Sequence, residues 1–209
     1  MKVLAVTTTI RSEMVDICAW LMKRQTVPVD HVIHFPDSGE DRGRWGELHH
    51  ALARAGQADY FMLVDDDDYI GPQYLERCLE RIGRSGVYGE IPSRVYHVSG
   101  RRYGEGRKRT RLFSTFSLFA DRHRKVVLEE LRSKQPALML EPILRGAPTP
   151  QHAEDLVIIR GAMRDPATAI TRKKNIDATV YPEEDPDLSV LKAWVGDDAA
   201  ERYLACSSS

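Results

Sequence analysis

YFMLVDDDDYIGPQYL, residues 60–75, joins five apolar or aromatic residues directly to four consecutive aspartates. Tyr60 to Val64 has the composition of a strand buried on both faces. Pro72 suits the first position of a helix, whose apolar stripe is Tyr74, Leu75, Cys78, Leu79 and Ile82. Gly83 and Gly86 then end that helix. Asp65, Asp66, Asp67 and Asp68 repel one another at close range, and unpaired they would raise each other's pKa. A divalent cation relieves this repulsion. Hard carboxylate oxygens suit Mg²⁺ or Mn²⁺, and a nucleotide diphosphate can complete the coordination shell. The alternative is a solvated acidic turn that complements the next helix dipole, but four acids exceed what one cap uses.

Upstream, Val3–Val6 is a short apolar run that ends in Thr7, Thr8 and Thr9. Ser12 is a candidate N-cap for a helix with Met14, Ile17, Cys18, Leu21 and Met22 on one face. His31–Phe35 reads as a second strand, followed by the turn signal Pro36-Asp37-Ser38-Gly39. From Arg44, the residues Trp45, Leu48, Leu52 and Ala55 recur at helical spacing. The first 64 residues therefore read β-loop-α-β-loop-α-β, which predicts a parallel sheet flanked by helices. Ligands of such sheets bind beyond the carboxyl ends of the strands, so loops 7–12, 36–44 and 65–70 are expected to converge on one crevice.

The second half is less regular. Residues 87–98 look β-like, 99–111 are polar, glycine-rich and basic, and Leu112–Ala120 again has strand composition. Asp121 can cap a helix running to about Leu131. Glu154 and Asp155 are expected to open a helix with Leu156, Ile158, Ile159 and Met163. From Pro182 the chain turns acidic, with seven Asp or Glu against one Lys through residue 201, as in a peripheral helix or a partly disordered tail.

At 209 residues the chain can bury a full core in one domain. Its 42% hydrophobic and 29% charged composition excludes a collagen-like or wholly disordered chain. Basic and acidic residues nearly balance, 30 against 31, so overall charge selects no partner. No apolar run approaches the ~20 residues of a membrane span, and the N-terminus does not read as a signal peptide. The three cysteines, Cys18, Cys78 and Cys206, cannot all pair within one chain, which suits a reducing, cytoplasmic compartment.

Residues 60–75 closely resemble the Asp-x-Asp region of GT-A glycosyltransferases, in particular those of family 2. Three upstream pieces, VTTTIRSEMVDICAWLMKRQ, HVIHFPDSGEDR and RWGELHHALARAGQADYF, resemble that family's first strand and helix, its nucleotide loop and the helix before the Asp-rich strand. The resemblance implies a GT-A, Rossmann-like and mostly parallel sheet, with an irregular acceptor-side C-terminal half. It implies a nucleotide-sugar-binding half over 1–98, an acceptor-side half of the same domain over 99–181, and an acidic extension over 182–209. It also implies a Mn²⁺- or Mg²⁺-dependent inverting hexosyl- or pentosyltransferase with a nucleotide-sugar donor, UDP-linked in the first instance.

By position, the Asp-x-Asp pair falls on Asp65 and Asp67, with Asp67 first for the metal. Asp66 is placed to touch the ribose or share the metal, and Asp68 is left to cap the following helix. Asp37 stands where the family reads the base, Arg44 near base and phosphates, and Thr8 and Arg11 in the loop that cradles the nucleoside. Thr7 stands where a proline is usual and Ile10 where a polar residue is usual. The base that deprotonates the acceptor is expected at Asp155, with Glu154 as neighbour or rival.

Between Arg101 and Lys125 there are nine Lys or Arg against two acids, with Tyr103, Phe113 and Phe116 interleaved. Arg107, Lys108, Arg109 and Arg111 are candidate contacts for the donor phosphates or for a polyanionic acceptor, such as a modified nucleobase in DNA. The rival readings are a nucleotidyltransferase and a non-catalytic nucleotide- or nucleic-acid-binding module. TTTIRSE lacks the glycines of the first. The second leaves the four aspartates unexplained. A dinucleotide-binding dehydrogenase is disfavoured because no GxGxxG follows the first strand.

Overall fold

A computed structural model describes residues 1–36, 43–105, 116–132, 147–161 and 179–208. Strand β1 (Val3–Thr8), helix α1 (Ser12–Lys23), strand β2 (Val29–His34), helix α2 (Gly43–Arg54) and strand β3 (Tyr60–Val64) follow the expected alternation. β1 pairs in parallel with both β2 and β3. Side chains on β1 and β3 alternate between two cores, as the period of two requires. Val3, Ala5, Met62 and Val64 face α1; Leu4, Val6, Phe61 and Leu63 face Leu48, Ala51 and Leu52 of α2. Burial on both faces explains why these strands are apolar runs with no polar alternation.

Strand β4 (Tyr69–Ile70) and helix α3 (Tyr74–Arg81) follow the aspartates. Pro72 lies just ahead of α3, and Gln73 occupies the N-cap position. Tyr74, Leu75 and Cys78 are buried, and the Tyr74 hydroxyl donates to the carbonyl of Phe116 at 2.6 Å. Strand β5 (Val87–His97), strand β6 (Arg102–Glu105), strand β7 (Ser117–Ala120), helix α4 (Arg124–Arg132), strand β8 (Gln151–Arg160) and strand β9 (Glu183–Glu184) come next. Helices α5 (Ser189–Val195) and α6 (Asp197–Ser208) complete the described chain. The main path through the sheet is β2-β1-β3-β7-β5-β6-β9, and β8 joins β5 to β4. β7 runs antiparallel between β3 and β5, so β5 points the same way as β1 and β3.

Three expectations are corrected. Ser12 is not an N-cap: Arg11 holds that position without a side-chain cap, and the Ser12 hydroxyl donates to Glu13. Residues 151–160 form a strand, where a helix beginning at Glu154 and Asp155 is expected from sequence. Val157, Ile158 and Ile159 are consecutive β-branched residues, and they lie between β4 and β5, where a strand packs them best. The acidic C-terminal segment is not peripheral. Leu191, Val195, Ala199, Ala200 and Tyr203 join the same core as α1. Glu183, Glu184, Asp187, Asp197, Asp198 and Glu201 are exposed, whereas Asp185 is buried and accepts from the Tyr96 hydroxyl and from the Val190 and Leu191 N–H groups.

His31 on β2 is half-buried beside this core. Its Nε2 is 2.9 Å from the Thr7 hydroxyl, and Cys18 Sγ lies 3.4 Å from that hydroxyl. Burial lowers the His31 pKa to about 4 and pushes the Cys18 thiol up to about 12, so both stay neutral at pH 7. In the unfolded chain His31 binds a proton below about 6.5; in the folded chain it does not until about 4. Stability is therefore lost as pH falls from 6.5 to 4, by roughly 1–2 kcal/mol once partial exposure is allowed for. Denaturant titrations at stepped pH should show this slope reduced in His31→Gln; an unchanged slope would assign the acid sensitivity elsewhere.

Candidate active site at the carboxyl ends of the parallel strands

β1 and β3 end side by side, and the aspartate turn leaves β3 at that edge. The Thr9 hydroxyl, just past β1, accepts from the Arg11 backbone N–H at 2.9 Å and donates to Asp66. The Arg11 guanidinium grips both Asp66 oxygens, with its Nε 2.9 Å from Oδ2, and its Nη1 reaches Asp67 Oδ2 at 3.2 Å. From the other side Arg160, the last residue of β8, places Nη1 2.8 Å from Asp68 Oδ1 and 3.4 Å from Asp67 Oδ1. The backbone N–H of Ile159 also donates to Asp68 Oδ1, at 3.1 Å. The acidic turn is thus clamped between Arg11, at the N-cap position of α1, and Arg160, at the end of β8.

Burial dominates the electrostatics. It pushes the Asp68 carboxyl up to about 8 and raises that of Asp67, while Arg160 acts against both shifts and Arg11 against that of Asp67. Burial also works against the charge on Arg11 and Arg160, but the facing carboxylates override it and keep both guanidiniums protonated. With all four acids ionised, four carboxylates and two guanidiniums leave a formal charge of −2, which one divalent cation would cancel.

The donor set fits such an ion. Asp65, Asp67 and Asp68 each offer an oxygen, and these lie within 4.8 Å of one another. Oxygens across one Mg²⁺ are about 4.2 Å apart, so a small side-chain adjustment closes the set. Two sequence expectations shift accordingly. Asp68 does not cap the following helix; it accepts from Ile159 and Arg160 on β8 and stands with the converging oxygens of Asp65 and Asp67. Asp66 is engaged instead by Thr9 and Arg11 and is not one of the three that converge.

Of the other candidates, Thr8 is the last residue of β1, beside His34, and Thr9 rather than Thr8 makes the hydroxyl contact with the turn. Arg44 falls in the first turn of α2. Asp37, Arg107, Lys108, Arg109 and Arg111 lie outside the described residues.

Glu154 and Asp155 are not brought to the aspartate turn. Asp155 accepts from Arg77 Nη2 at 2.7 Å and Nη1 at 2.9 Å, and its carbonyl accepts from the Gly71 N–H at 2.8 Å. A Cβ on Gly71 would overlap the Asp155 carboxylate, which is why the turn before α3 carries a glycine there. Asp155 lies four residues before Ile159, the residue bonded to Asp68, or about 13 Å along the strand. Glu154 points to the other face of β8, pairs with Arg94 at 2.8 Å, and lines a cavity of about 810 Å³ with Tyr103, His152 and Trp194.

Arg160 and Thr9 are the residues that sequence reasoning missed. The available signal for Arg160 was a cation directly after an apolar run, which marks a strand's carboxyl end once the run is read as a strand. A helical reading of 154–163 hid it.

A parallel β2-β1-β3 unit ending in an acidic turn, extended by antiparallel β7 and by β5, is the GT-A arrangement of glycosyltransferases. The chain belongs to glycosyl transferase family 2, whose family model matches residues 16–138. No curated protein sequence matches the chain. Among solved structures, residues 1–349 of S. aureus TarS are similar at a TM-score of 0.53 and 16% identity, over 99% of this chain and 73% of that one. The same fragment in complex with UDP gives a TM-score of 0.52 and 17% identity, over 76% of this chain. In that match the chain covers 60% of the TarS fragment. Among the described residues, no helix is long and apolar enough to cross a membrane.

Proposed function

We propose that the protein is a divalent-metal-dependent, inverting glycosyltransferase that takes a nucleotide sugar, UDP-linked in the first instance, and transfers the sugar to a hydroxyl. The observation that carries this reading is the convergence of Asp65, Asp67 and Asp68 at the end of β3, in a family 2 chain. The TarS fragment, which has a similar fold, binds UDP, and this supports the choice of donor. Bound Mn²⁺ or Mg²⁺ supplies Lewis-acid neutralisation of the diphosphate leaving group.

The chain's own residues do the rest. Arg11 fixes Asp66 and Asp67 so that the turn presents its oxygens in one orientation. Thr9 ties the β1 loop to the same turn, so the nucleoside-facing loop and the diphosphate-facing acids form one rigid edge. Asp155, held by Arg77 and about 13 Å along β8, is better suited to supporting the sheet than to deprotonating an acceptor. The basic segment 101–111 supports a polyanionic acceptor.

The test is nucleotide release from a panel of nucleotide sugars with Mn²⁺ or Mg²⁺. Slow release of UDP that stops on chelation is expected. No release from any donor, together with no thermal stabilisation by UDP plus Mn²⁺, would overturn the reading.

A further inference from the structure

The two arginines at the acidic turn are not equivalent. Arg11 spends most of its hydrogen bonds on Asp66, which is not among the converging oxygens. Among the described residues, the Arg160 side chain bonds only to turn carboxylates that are among them, Asp68 and Asp67, apart from its contact with the neighbouring Ile159 carbonyl at 2.7 Å. Exposure separates partner from partner as well. The Asp68 side chain is 2% exposed and fixed by the Ile159 N–H, whereas Arg160 is 43% exposed and stands at a strand end. If a cation occupies the Asp67 and Asp68 oxygens, the like charge on Arg160 must leave, and Arg160 is the member of the pair free to move.

We propose that Arg160 is a displaceable counter-ion: it neutralises Asp67 and Asp68 while no metal is bound, then turns outward onto the diphosphate of a metal-bound nucleotide. The proposal rests on the donor reading above. Its physical content is a charge argument. A metal ion arriving alone must expel Arg160 into solvent with no new partner. A metal ion arriving with a nucleoside diphosphate brings phosphate oxygens that accept from the same guanidinium, in the fork geometry that suits it. Metal and nucleotide therefore bind with positive coupling, and part of that coupling passes through one side chain.

The test measures two affinities in three proteins. Mn²⁺ binding is read from the electron paramagnetic resonance of the free ion. UDP binding at saturating Mn²⁺ is read by calorimetry. Relative to wild type, Arg160→Ala should bind Mn²⁺ alone about tenfold more tightly and UDP at saturating Mn²⁺ about tenfold more weakly. Arg160→Lys keeps the charge without the fork and should move both affinities in the same two directions by about threefold; it decides the matter if the alanine variant does not fold. Opposite signs for the two ligands are the signature, because a merely structural arginine would weaken both. If the variants weaken Mn²⁺ binding, or leave UDP affinity unchanged, the displacement is wrong although the donor reading stands. Wild-type protein that binds neither Mn²⁺ nor UDP would instead overturn the donor reading itself.

Discussion

Asp67→Ala should abolish stabilisation by UDP plus Mn²⁺ and lower donor hydrolysis by about 10³-fold, while the unfolding midpoint of the metal-free protein barely moves. Asp67 touches both arginines and also belongs to the converging trio, so its loss removes an oxygen from the donor set. Stability is spared for a different reason. Burial already disfavours the Asp67 carboxylate, and its two ion pairs, at 3.2 and 3.4 Å, are long. Once it is gone, Arg11 keeps Asp66 and Arg160 keeps Asp68. The expected change in folding free energy is within about 1 kcal/mol of zero. Thermal shift with and without UDP and Mn²⁺, beside a hydrolysis assay, checks both halves. Ligand-dependent stabilisation that survived in the variant would remove Asp67 from the metal site.

The largest loss of stability is expected at Arg77. Glu90 on β5 has a side chain only 3% exposed, and Arg77 on α3 is its main counter-charge, with Nη2 2.7 Å from Oε2. Arg77 simultaneously holds Asp155 on β8, so one guanidinium pins a helix to two adjacent strands. Arg81 reaches Glu90 at 3.3 Å and is too exposed to compensate. Arg77→Ala leaves a buried carboxylate poorly paired and should cost roughly 3–5 kcal/mol, read as a lower denaturant midpoint. Arg77→Lys should recover only part of this, because an ammonium cannot bridge two carboxylates in fork geometry. Asp155→Asn removes the exposed end of the same network and should cost about 1 kcal/mol while sparing transfer. Transfer abolished in Asp155→Asn with UDP binding intact would restore Asp155 as the base.

The first three strands and the aspartate turn were legible because burial on both faces writes itself as uninterrupted apolar runs. Val3–Val6 and Tyr60–Val64 admit little else when helical stripes separate them. The core face of α1 was legible for the same reason, since Met14, Ile17, Cys18, Leu21 and Met22 are all buried. Strand β8 was not. Four apolar residues in a row fit a buried helix or a buried strand, and the acids before them imitate a helix start. Only the pairing of Val157 with Tyr69 and of Ile158 with Val95, which are contacts distant in sequence, resolves the ambiguity. The site inherits that limit. Asp65 and Asp67 could be named from local sequence, whereas the partner of Asp68 lies more than ninety residues downstream. The core role of α6 was obscured by Asp197, Asp198 and Glu201 on its exposed face, and that of α5 by the acids that precede it in the chain.

The insertion of β7 between β3 and β5 bears on how the chain folds as it is synthesised. Tyr60–Val64 acquires its second hydrogen-bonded neighbour only when Ser117–Ala120 has been made, about fifty residues later. At 5–20 residues per second this interval lasts roughly 3–10 s. Throughout it, an apolar strand keeps one row of amides and carbonyls bare, the condition that invites pairing with a second nascent copy. Slowed translation between codons 65 and 116 should therefore raise the insoluble fraction, and a chaperone that shields strand edges should lower it.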